Sequence, residues 1–274
     1  MLYLTYPLNF IIMIGAPIAL WLWLARQWKL GWKLVLWGAL MFAASQLLRM
    51  PLLFGLTELF RHGALPQPPE WAGLWFNLVV LCLTAGLFEE TARWAGYRWL
   101  VKEARTWRQA IVYGAGHGGI EAILLGLAVA VAFAQFVALQ NVELSALPVP
   151  AEQQALLAQQ IKDFWAAPWP LTLLGGVERV FALCLHVCLS VMVLQAFTRQ
   201  NNKWLAAAIG WHALANFIGV GATQFYGPVI GEMCIGIIAA ISLLIVFRLR
   251  DSQSGETPAE ARPSASGAKA ETVP

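Results

Sequence analysis

Residues 71–95 read WAGLWFNLVVLCLTAGLFEETARWA, an apolar run that is long enough to cross a membrane. A transmembrane α-helix needs about 20 predominantly apolar residues. Near its end the run carries Glu89, Glu90 and Arg93. An ionisable residue at the centre of a membrane helix costs about 2.5–3.5 kcal/mol, so such residues usually mark a site or pair with one another. The stretch therefore predicts a membrane helix that carries a polar site.

The composition extends this prediction to the whole chain. Its 274 residues are 59% hydrophobic and 12% charged, whereas about 25% charge is typical of soluble domains. Seven apolar runs are predicted to span the membrane, at residues 7–25, 34–55, 71–95, 109–138, 170–197, 204–222 and 228–247. We therefore predict an all-α integral membrane protein with one transmembrane helical domain over residues 1–250, and no nucleic-acid partner. Its site-bearing core is predicted at residues 71–222.

The basic residues predict the orientation of the chain. Most of them follow the first, third, fifth and seventh runs, whereas the opposite loops hold only Arg61 and Lys162. By the positive-inside rule the basic face is cytoplasmic, which places the N-terminus outside and the C-terminus inside. Residues 251–274 are rich in Ser, Pro, Ala and Glu without apolar periodicity, so we expect a disordered cytoplasmic tail.

One outer connection differs from a simple turn. Within residues 151–165, Leu157, Ile161, Phe164 and Trp165 recur at helical spacing. This pattern is typical of an amphipathic helix on the outer surface. A connector without further role is the interpretation we favour.

One guanidinium can form an ion pair with either carboxylate of the third run. Glu89 lies four residues and Glu90 three residues before Arg93, so either side chain can reach it along one helix face. The other carboxylate then stays available for chemistry. An intrahelical ion pair without further role is the structural alternative.

Two further polar pairs lie on separate predicted helices. In the glycine-rich stretch YGAGHGGIE, residues 113–121, His117 and Glu121 share a face, and His212 and Asn216 repeat that four-residue spacing on the sixth run. Small residues let membrane helices approach closely, as a site built from several helices requires. Isolated polar residues of this kind also commonly serve helix packing through interhelical hydrogen bonds.

The predicted depths of the ionisable residues are similar. Glu89, His117 and His212 each lie nine residues from the nearest cytoplasmic charge, which corresponds to roughly 13 Å at the helical rise per residue. His186, on the fifth run after Glu178 and an arginine, lies thirteen residues away, or roughly 20 Å. We therefore expect the first three to share a level, and His186 either to form a second layer or to reach down to them.

A glutamate beside imidazoles and a carboxamide can activate water. The carboxylate takes a proton from water, while His and Asn donors stabilise the oxyanion of a scissile carbonyl. The same residue types could hold zinc, and the candidate ligands are Glu89, His117, His186 and His212. No HExxH motif occurs in the chain. We therefore favour a site without a metal cofactor and keep zinc as the alternative.

The order of these motifs resembles the CAAX-protease and bacteriocin-processing superfamily of intramembrane peptidases. The motifs are Glu89-Glu90-x-x-Arg93, Tyr113-x-x-x-His117, a lone His186 and His212-x-x-x-Asn216. The run from Gly114 to Glu121, with Glu178-Arg179 before His186, is most similar to bacterial YhfC-type membrane peptidases. This chain departs from the usual superfamily pattern at two points. Tyr113 replaces the usual Phe, and two residues instead of three separate Glu90 from Arg93.

The resemblance implies a glutamic-type intramembrane endopeptidase of the bacterial cell membrane. Its substrate would be a membrane-embedded or lipidated peptide, and its base would be Glu89. The catalytic residues it implies are Glu89, Glu90, His117 and His212. The supporting residues it implies are Arg93, Glu121, His186 and Asn216, with the role of His186 left open.

Two other functions fit part of the pattern. The superfamily includes a non-catalytic membrane scaffold, and fold kinship alone does not imply activity. A transporter coupled to ions or protons also carries ionisable residues in its helices. Such a transporter typically has broken helices and an internal repeat. The two halves of this chain show no convincing repeat. An enzyme predicts a cavity that opens to the cytoplasmic half, with Glu89, His117 and His212 converging on it.

Overall fold

A computed structural model describes residues 1–144, 148 and 150–251 of the chain. Within these residues it contains eight α-helices: α1 (Leu2–Trp28), α2 (Lys33–Arg61), α3 (Glu70–Ala95), α4 (Trp107–Leu139), α5 (Ala151–Ala166), α6 (Leu174–Thr198), α7 (Lys203–Tyr226) and α8 (Pro228–Asp251). A π-helical segment, Gly96–Leu100, continues α3, and a 3-10 turn, Leu171–Leu173, precedes α6. Seven of these helices, all but α5, are long and apolar enough to span a membrane, which confirms the predicted all-α fold and its seven spans.

The helices extend beyond the predicted apolar runs. Helix α1 begins at Leu2 and includes Pro7 and Pro17, and α2 continues to Arg61. Hydropathy detects only the part of a helix that lies in the hydrocarbon core of the bilayer. The hydrogen-bonded backbone of the same helix continues into the headgroup region. Most of the predicted tail, residues 252–274, lies outside the described residues, and the orientation of the two ends stays a prediction.

Helix α6 lies at the centre of the bundle. About 72% of its apolar window is buried inside the protein, against 11–28% for the other six spanning helices. It packs on α1, α4, α7 and α8, and more lightly on α3. Because α6 is enclosed by protein rather than lipid, its polar side chains can meet partners from several helices.

Glycines bring the helices that carry the polar motifs into close contact. A Cβ atom at Gly118 of α4 would lie 2.7 Å from the Cβ atom of His186 on α6. A Cβ atom at Gly86 of α3 would lie 2.7 Å from the backbone oxygen of Ile209 on α7. Real side chains do not tolerate such distances, so glycine is required for the observed separations of α4 from α6 and of α3 from α7.

The stretch at residues 151–165 is helical, as one of the two interpretations predicted. Helix α5 buries none of its residues, but Phe164 stacks on Tyr6 with ring centroids 4.4 Å apart and on Phe136 at 4.2 Å. Aromatic contacts of this kind stabilise a surface element by their area and geometry. The connection is therefore more than a simple linker, because it covers the ends of α1 and α4.

Candidate active site

Helix α3 carries a buried ion pair one turn from its end. Nη1 of Arg93 lies 3.0 Å from Oε2 of Glu90, and both side chains are completely buried. The expected pairing within one helix face is therefore present, and Glu90 is the carboxylate that forms it. Glu89, the preceding residue, points to a different set of partners.

Two helices contribute partners to Glu89. Its Oε1 accepts a hydrogen bond from Nε2 of Gln46 on α2 at 3.1 Å, and its Oε2 lies 3.3 Å from Nε2 of His117 on α4. Arg49, one turn after Gln46, donates to Gln46 Oε1 at 3.4 Å and to the backbone oxygen of Leu81 at 2.9 Å. Glu89 is thus held at both oxygens.

Gln46 was not predicted from the sequence, because it lies outside the predicted site-bearing core at residues 71–222. The available signal was the polar cluster Ser45, Gln46 and Arg49 inside an otherwise apolar run. Polar residues in a membrane helix usually face the protein interior. Arg49 and Gln46 follow that rule.

The hydrogen bond between His212 and Glu90 shows which nitrogen of the His212 ring carries a proton. Nδ1 of His212 lies 2.8 Å from Oε1 of Glu90. The carboxylate of Glu90, paired with Arg93, can only accept. Nδ1 of His212 therefore donates, and in a neutral ring Nε2 keeps its lone pair.

The contact with Arg93 shows which nitrogen of the His186 ring carries the proton. Nη2 of Arg93 lies 3.1 Å from Nδ1 of His186. Since a guanidinium only donates, Nδ1 of His186 accepts and its proton lies on Nε2. That nitrogen is 2.7 Å from Oε2 of Glu121.

The three imidazoles form a row across the bundle. Ring centroids of His117 and His186 are 5.4 Å apart, and those of His186 and His212 are 5.5 Å apart. The ring of His186 therefore contacts both of the others and lies between them. Of the two expected arrangements, a second layer and a side chain that reaches the first, the structure has the second.

The part of the site nearest the protein surface is charged. Arg179 lies 2.7 Å from Oε1 of Glu121 and also contacts Glu178, whose side chain is 42% exposed. Glu121 is therefore shared between His186 and Arg179. Glu178 and Arg179, the pair noted ahead of His186 in the sequence, connect the buried residues to the surface.

A cavity of about 280 Å³ adjoins this network. Glu89, Glu121, His186, His212 and Asn216 line it, whereas the fully buried His117 is not among the lining residues described. A second cavity of about 370 Å³ shares Glu178, Asn216, Val220 and Ile235 with the first.

The cavities extend toward the side of the bundle where α7 ends and α1 begins. The second one reaches Thr223 and Gln224, near the end of α7, and Pro228 at the start of α8. In the predicted orientation this side is the outer one. The expectation of an opening to the cytoplasmic half is therefore not met, because the residues that line the cavity follow His212 in the direction away from the basic face.

The residues present fit a metal ion in donor type and spacing. Glu89, His117 and His186 each offer a ligand atom, and these atoms lie within 4.8 Å of one another. Carboxylate and imidazole donors suit zinc. Nδ1 of His117 is buried without a hydrogen-bond partner among the described residues. A metal at Nε2 of His186 would have to displace the proton on that nitrogen, and a metal at Nε2 of His117 would have to displace its hydrogen bond to Glu89. His212 is not part of this group.

Comparisons with known proteins address the class of the protein. The family model of the YhfC intramembrane metalloprotease matches residues 10–256. The uncharacterized membrane protein YhfC of Bacillus subtilis is 31% identical over 244 residues, which cover 85% of this chain and 91% of that protein. No solved structure matches the chain significantly. The family description names a metalloprotease, so it does not support our preference for a site without a metal. Since the family model spans most of the chain, this integral membrane protein belongs to the YhfC family.

Proposed function

We propose that the protein is an intramembrane endopeptidase that hydrolyses a peptide bond of a membrane-embedded or lipidated substrate. The observation that carries the proposal is the convergence of Glu89, His212 and Asn216 on one cavity inside an otherwise apolar bundle. A soluble peptide would not need a site at this depth, because buried ionisable groups are costly in a membrane. The description of the family as an intramembrane metalloprotease supports the same reaction class.

Glu89 is the proposed base. Its carboxylate lines the cavity, and hydrogen bonding by Gln46 at one oxygen leaves the other directed to His117. Glu89 takes a proton from water, the resulting hydroxide attacks the scissile carbonyl carbon, and the proton passes to the leaving amine as the C–N bond breaks. The products are a carboxylic acid and an amine, and no reactant other than water is needed.

Two cavity residues position the reacting groups. Nε2 of His212 keeps its lone pair because Nδ1 donates to Glu90, so it can accept the second hydrogen of the water. Asn216, one turn further along α7, offers amide N–H donors to the developing oxyanion. Arg93 and Glu90 act on the reaction only through the histidines that they hold.

A zinc ion would be held by Glu89, His117 and His186. When bound, zinc acidifies its water and polarises a carbonyl oxygen. In that arrangement Glu89 is a ligand, whereas without a metal it is the base. The metal content of a Glu89→Gln variant therefore separates the two mechanisms.

We also propose that the family is related to the CAAX-protease and bacteriocin-processing superfamily. The support is the order of Glu89-Glu90-x-x-Arg93, His117, His186 and His212-x-x-x-Asn216 on successive spanning helices, α3, α4, α6 and α7. The contacts of Glu90 with Arg93 and His212 agree with an orienting role for that glutamate.

The test is cleavage of a membrane-peptide library by the purified protein, together with its metal content. Glu89→Gln and His212→Ala are compared with wild type and with Glu103→Gln, an exposed glutamate away from the cavity. Loss of a general base lowers rates by about 10²–10⁴-fold, so we expect that loss in the first two variants and none in the control. Cleavage that survives chelation supports glutamate-activated water, and loss restored by zinc supports the metalloprotease mechanism.

Two results would contradict the proposal. Undiminished cleavage by both cavity variants would exclude this site. A wild-type protein that cleaves no peptide of the library, with or without added zinc, would favour the non-catalytic scaffold.

A further inference from the structure

A third cavity, of about 510 Å³, lies at the opposite end of the bundle from the opening of the candidate site. It is enclosed by the end of α3 with its π-helical continuation, by the end of α6 and by the start of α7. Its lining residues are Trp94, Arg98, Arg105, Ala196, Phe197, Gln200 and Asn202. This is the basic face of the protein, at the level where membrane helices meet the headgroups.

Arg105 is held rigidly at this cavity. Its guanidinium donates to the backbone oxygens of Tyr97 at 3.2 Å and Ala104 at 3.0 Å, and it lies 4.7 Å from the centroid of the Phe197 ring. These contacts fix the position of the charge without neutralising it, because all three partners are uncharged. The guanidinium is therefore preorganised for an anion.

A second guanidinium faces the same cavity. Arg98 is exposed and forms no ion pair within the described part of the chain. Burial lowers the pKa of Arg105, whereas Tyr97 and the nearby Glu103 oppose this shift, and the charge of Arg98 adds to it. Neither guanidinium forms an ion pair with a carboxylate within the described residues, so a bound anion stabilises the two like charges.

The start of α7 adds to this positive potential. Asn202 lines the cavity and is the N-cap of a 24-residue helix. The N-terminus of a helix carries partial positive charge, which favours phosphate. Two guanidinium groups and the positive end of a helix dipole therefore adjoin one cavity.

An apolar surface continues from the cavity along the membrane-facing side. Trp94 stacks on Phe197 with centroids 5.9 Å apart, and Trp99 and Leu100 of the π-helical segment are 63% and 36% exposed. Interfacial tryptophan is typical of the headgroup level. A ligand that combines a phosphate with hydrocarbon chains would contact both parts of this surface, whereas a free phosphate would contact only the first.

We propose that this cavity binds the phosphate of an anionic phospholipid, with Arg98 and Arg105 as the residues that recognise it. Basic pockets between membrane helices are known to bind such headgroups. Arg98 lies five residues after Arg93 on one continuous helical segment, Glu70–Leu100. A bound lipid would therefore fix the end of the helix that carries the paired glutamates.

The experiment is native mass spectrometry and thermal unfolding of the full chain in detergent. The probes are phosphatidylglycerol, phosphatidylcholine with the same acyl chains, and inorganic phosphate. One basic contact near a membrane surface contributes about fivefold in affinity. We expect wild type to bind phosphatidylglycerol at least that much more tightly than phosphatidylcholine, and Arg98→Gln to lose this preference.

The control variant is Arg26→Gln, which removes an exposed arginine from α1 on the same face. It is expected to keep the preference, and Arg98→Lys is expected to keep part of it. Because Arg98 is exposed, Arg98→Gln should remain folded, and the unfolding curve reports this directly. Equal binding of the two lipids by wild type, or equal loss in Arg98→Gln and Arg26→Gln, would overturn the proposal. Stabilisation by inorganic phosphate without any lipid preference would overturn the lipid assignment.

Discussion

Nη2 of Arg93 lies 3.1 Å from Nδ1 of His186, although the two residues are 93 positions apart in the chain. The same side chain pairs with Glu90 on its own helix. One guanidinium thus joins the glutamate motif of α3 to the central helix and determines which nitrogen of His186 carries the proton. The position of Arg93, rather than its charge alone, organises the site.

Removing Arg93 should therefore be more harmful than removing the whole pair. Arg93→Met leaves the buried Glu90 carboxylate without its counterion, with only the hydrogen bond from His212 remaining, and such a loss typically costs about 3–5 kcal/mol. Combining it with Glu90→Leu removes both charges, so we expect the double variant to be more stable than Arg93→Met, although equally inactive. Thermal unfolding in detergent measures the difference, and effects that simply add would contradict the predicted coupling.

Gln46 should affect the reaction although it lies outside the motif region. Gln46→Leu removes the hydrogen bond to Oε1 of Glu89, and a hydrogen bond to a charged group contributes about 1.5–3 kcal/mol. We expect cleavage to fall by about 10–100-fold. The neighbouring Leu47, which is 75% exposed, provides the control Leu47→Ala. Equal activities of the two variants would show that Glu89 needs no support from α2.

A methyl group at Gly118 should separate α4 from α6. Gly118→Ala places its Cβ 2.7 Å from that of His186, and overpacking of this kind costs about 1–3 kcal/mol. We expect a lower unfolding temperature and reduced cleavage. Gly210→Ala on α7 is the matched control, because nothing lies within 4 Å of its Cβ. In a helix that substitution should be neutral or stabilising by about 0.5–1 kcal/mol. A Gly118→Ala variant as stable as the control would contradict the close crossing.

Cysteine labelling tests both the orientation and the side on which the cavity opens. In a background without the four native cysteines, a membrane-impermeant thiol reagent added outside should label Gln67→Cys and Glu178→Cys but not Lys102→Cys. The reason is that residue 67 and the cavity mouth share the side opposite the basic loops. Labelling of Lys102→Cys alone would reverse the predicted orientation. Labelling of Gln67→Cys without Glu178→Cys would mean that the cavity is closed at that mouth.

Much of the fold could be predicted because each spanning helix is recorded locally in the sequence. Length and hydropathy identify α1 to α4 and α6 to α8 one at a time. The pairing of Glu90 with Arg93 was also predictable, since both residues lie within one helical turn. These features depend on neighbours in the chain.

The rest of the site depends on how the helices rotate and tilt against one another. Counting residues from the nearest charge placed His186 deeper than His117, but their rings lie 5.4 Å apart. Helix tilt and the reach of a side chain are not recorded in such a count. The contact of Gln46 with Glu89 likewise depends on the rotation of α2 about its axis. No periodicity in a single helix records such a rotation, because the apolar faces of membrane helices contact lipid and protein alike.

The ion pair within α3 also bears on how the protein is made. A helix that enters the bilayer before α4, α6 and α7 have been synthesised cannot rely on their side chains to compensate its charges. Because Arg93 and Glu90 satisfy each other within one turn, α3 can insert with Glu89 as the single unpaired member of its motif. During biogenesis the local pair thus acts as an internal counterion, and the later helices need only to receive a segment that is already in the membrane.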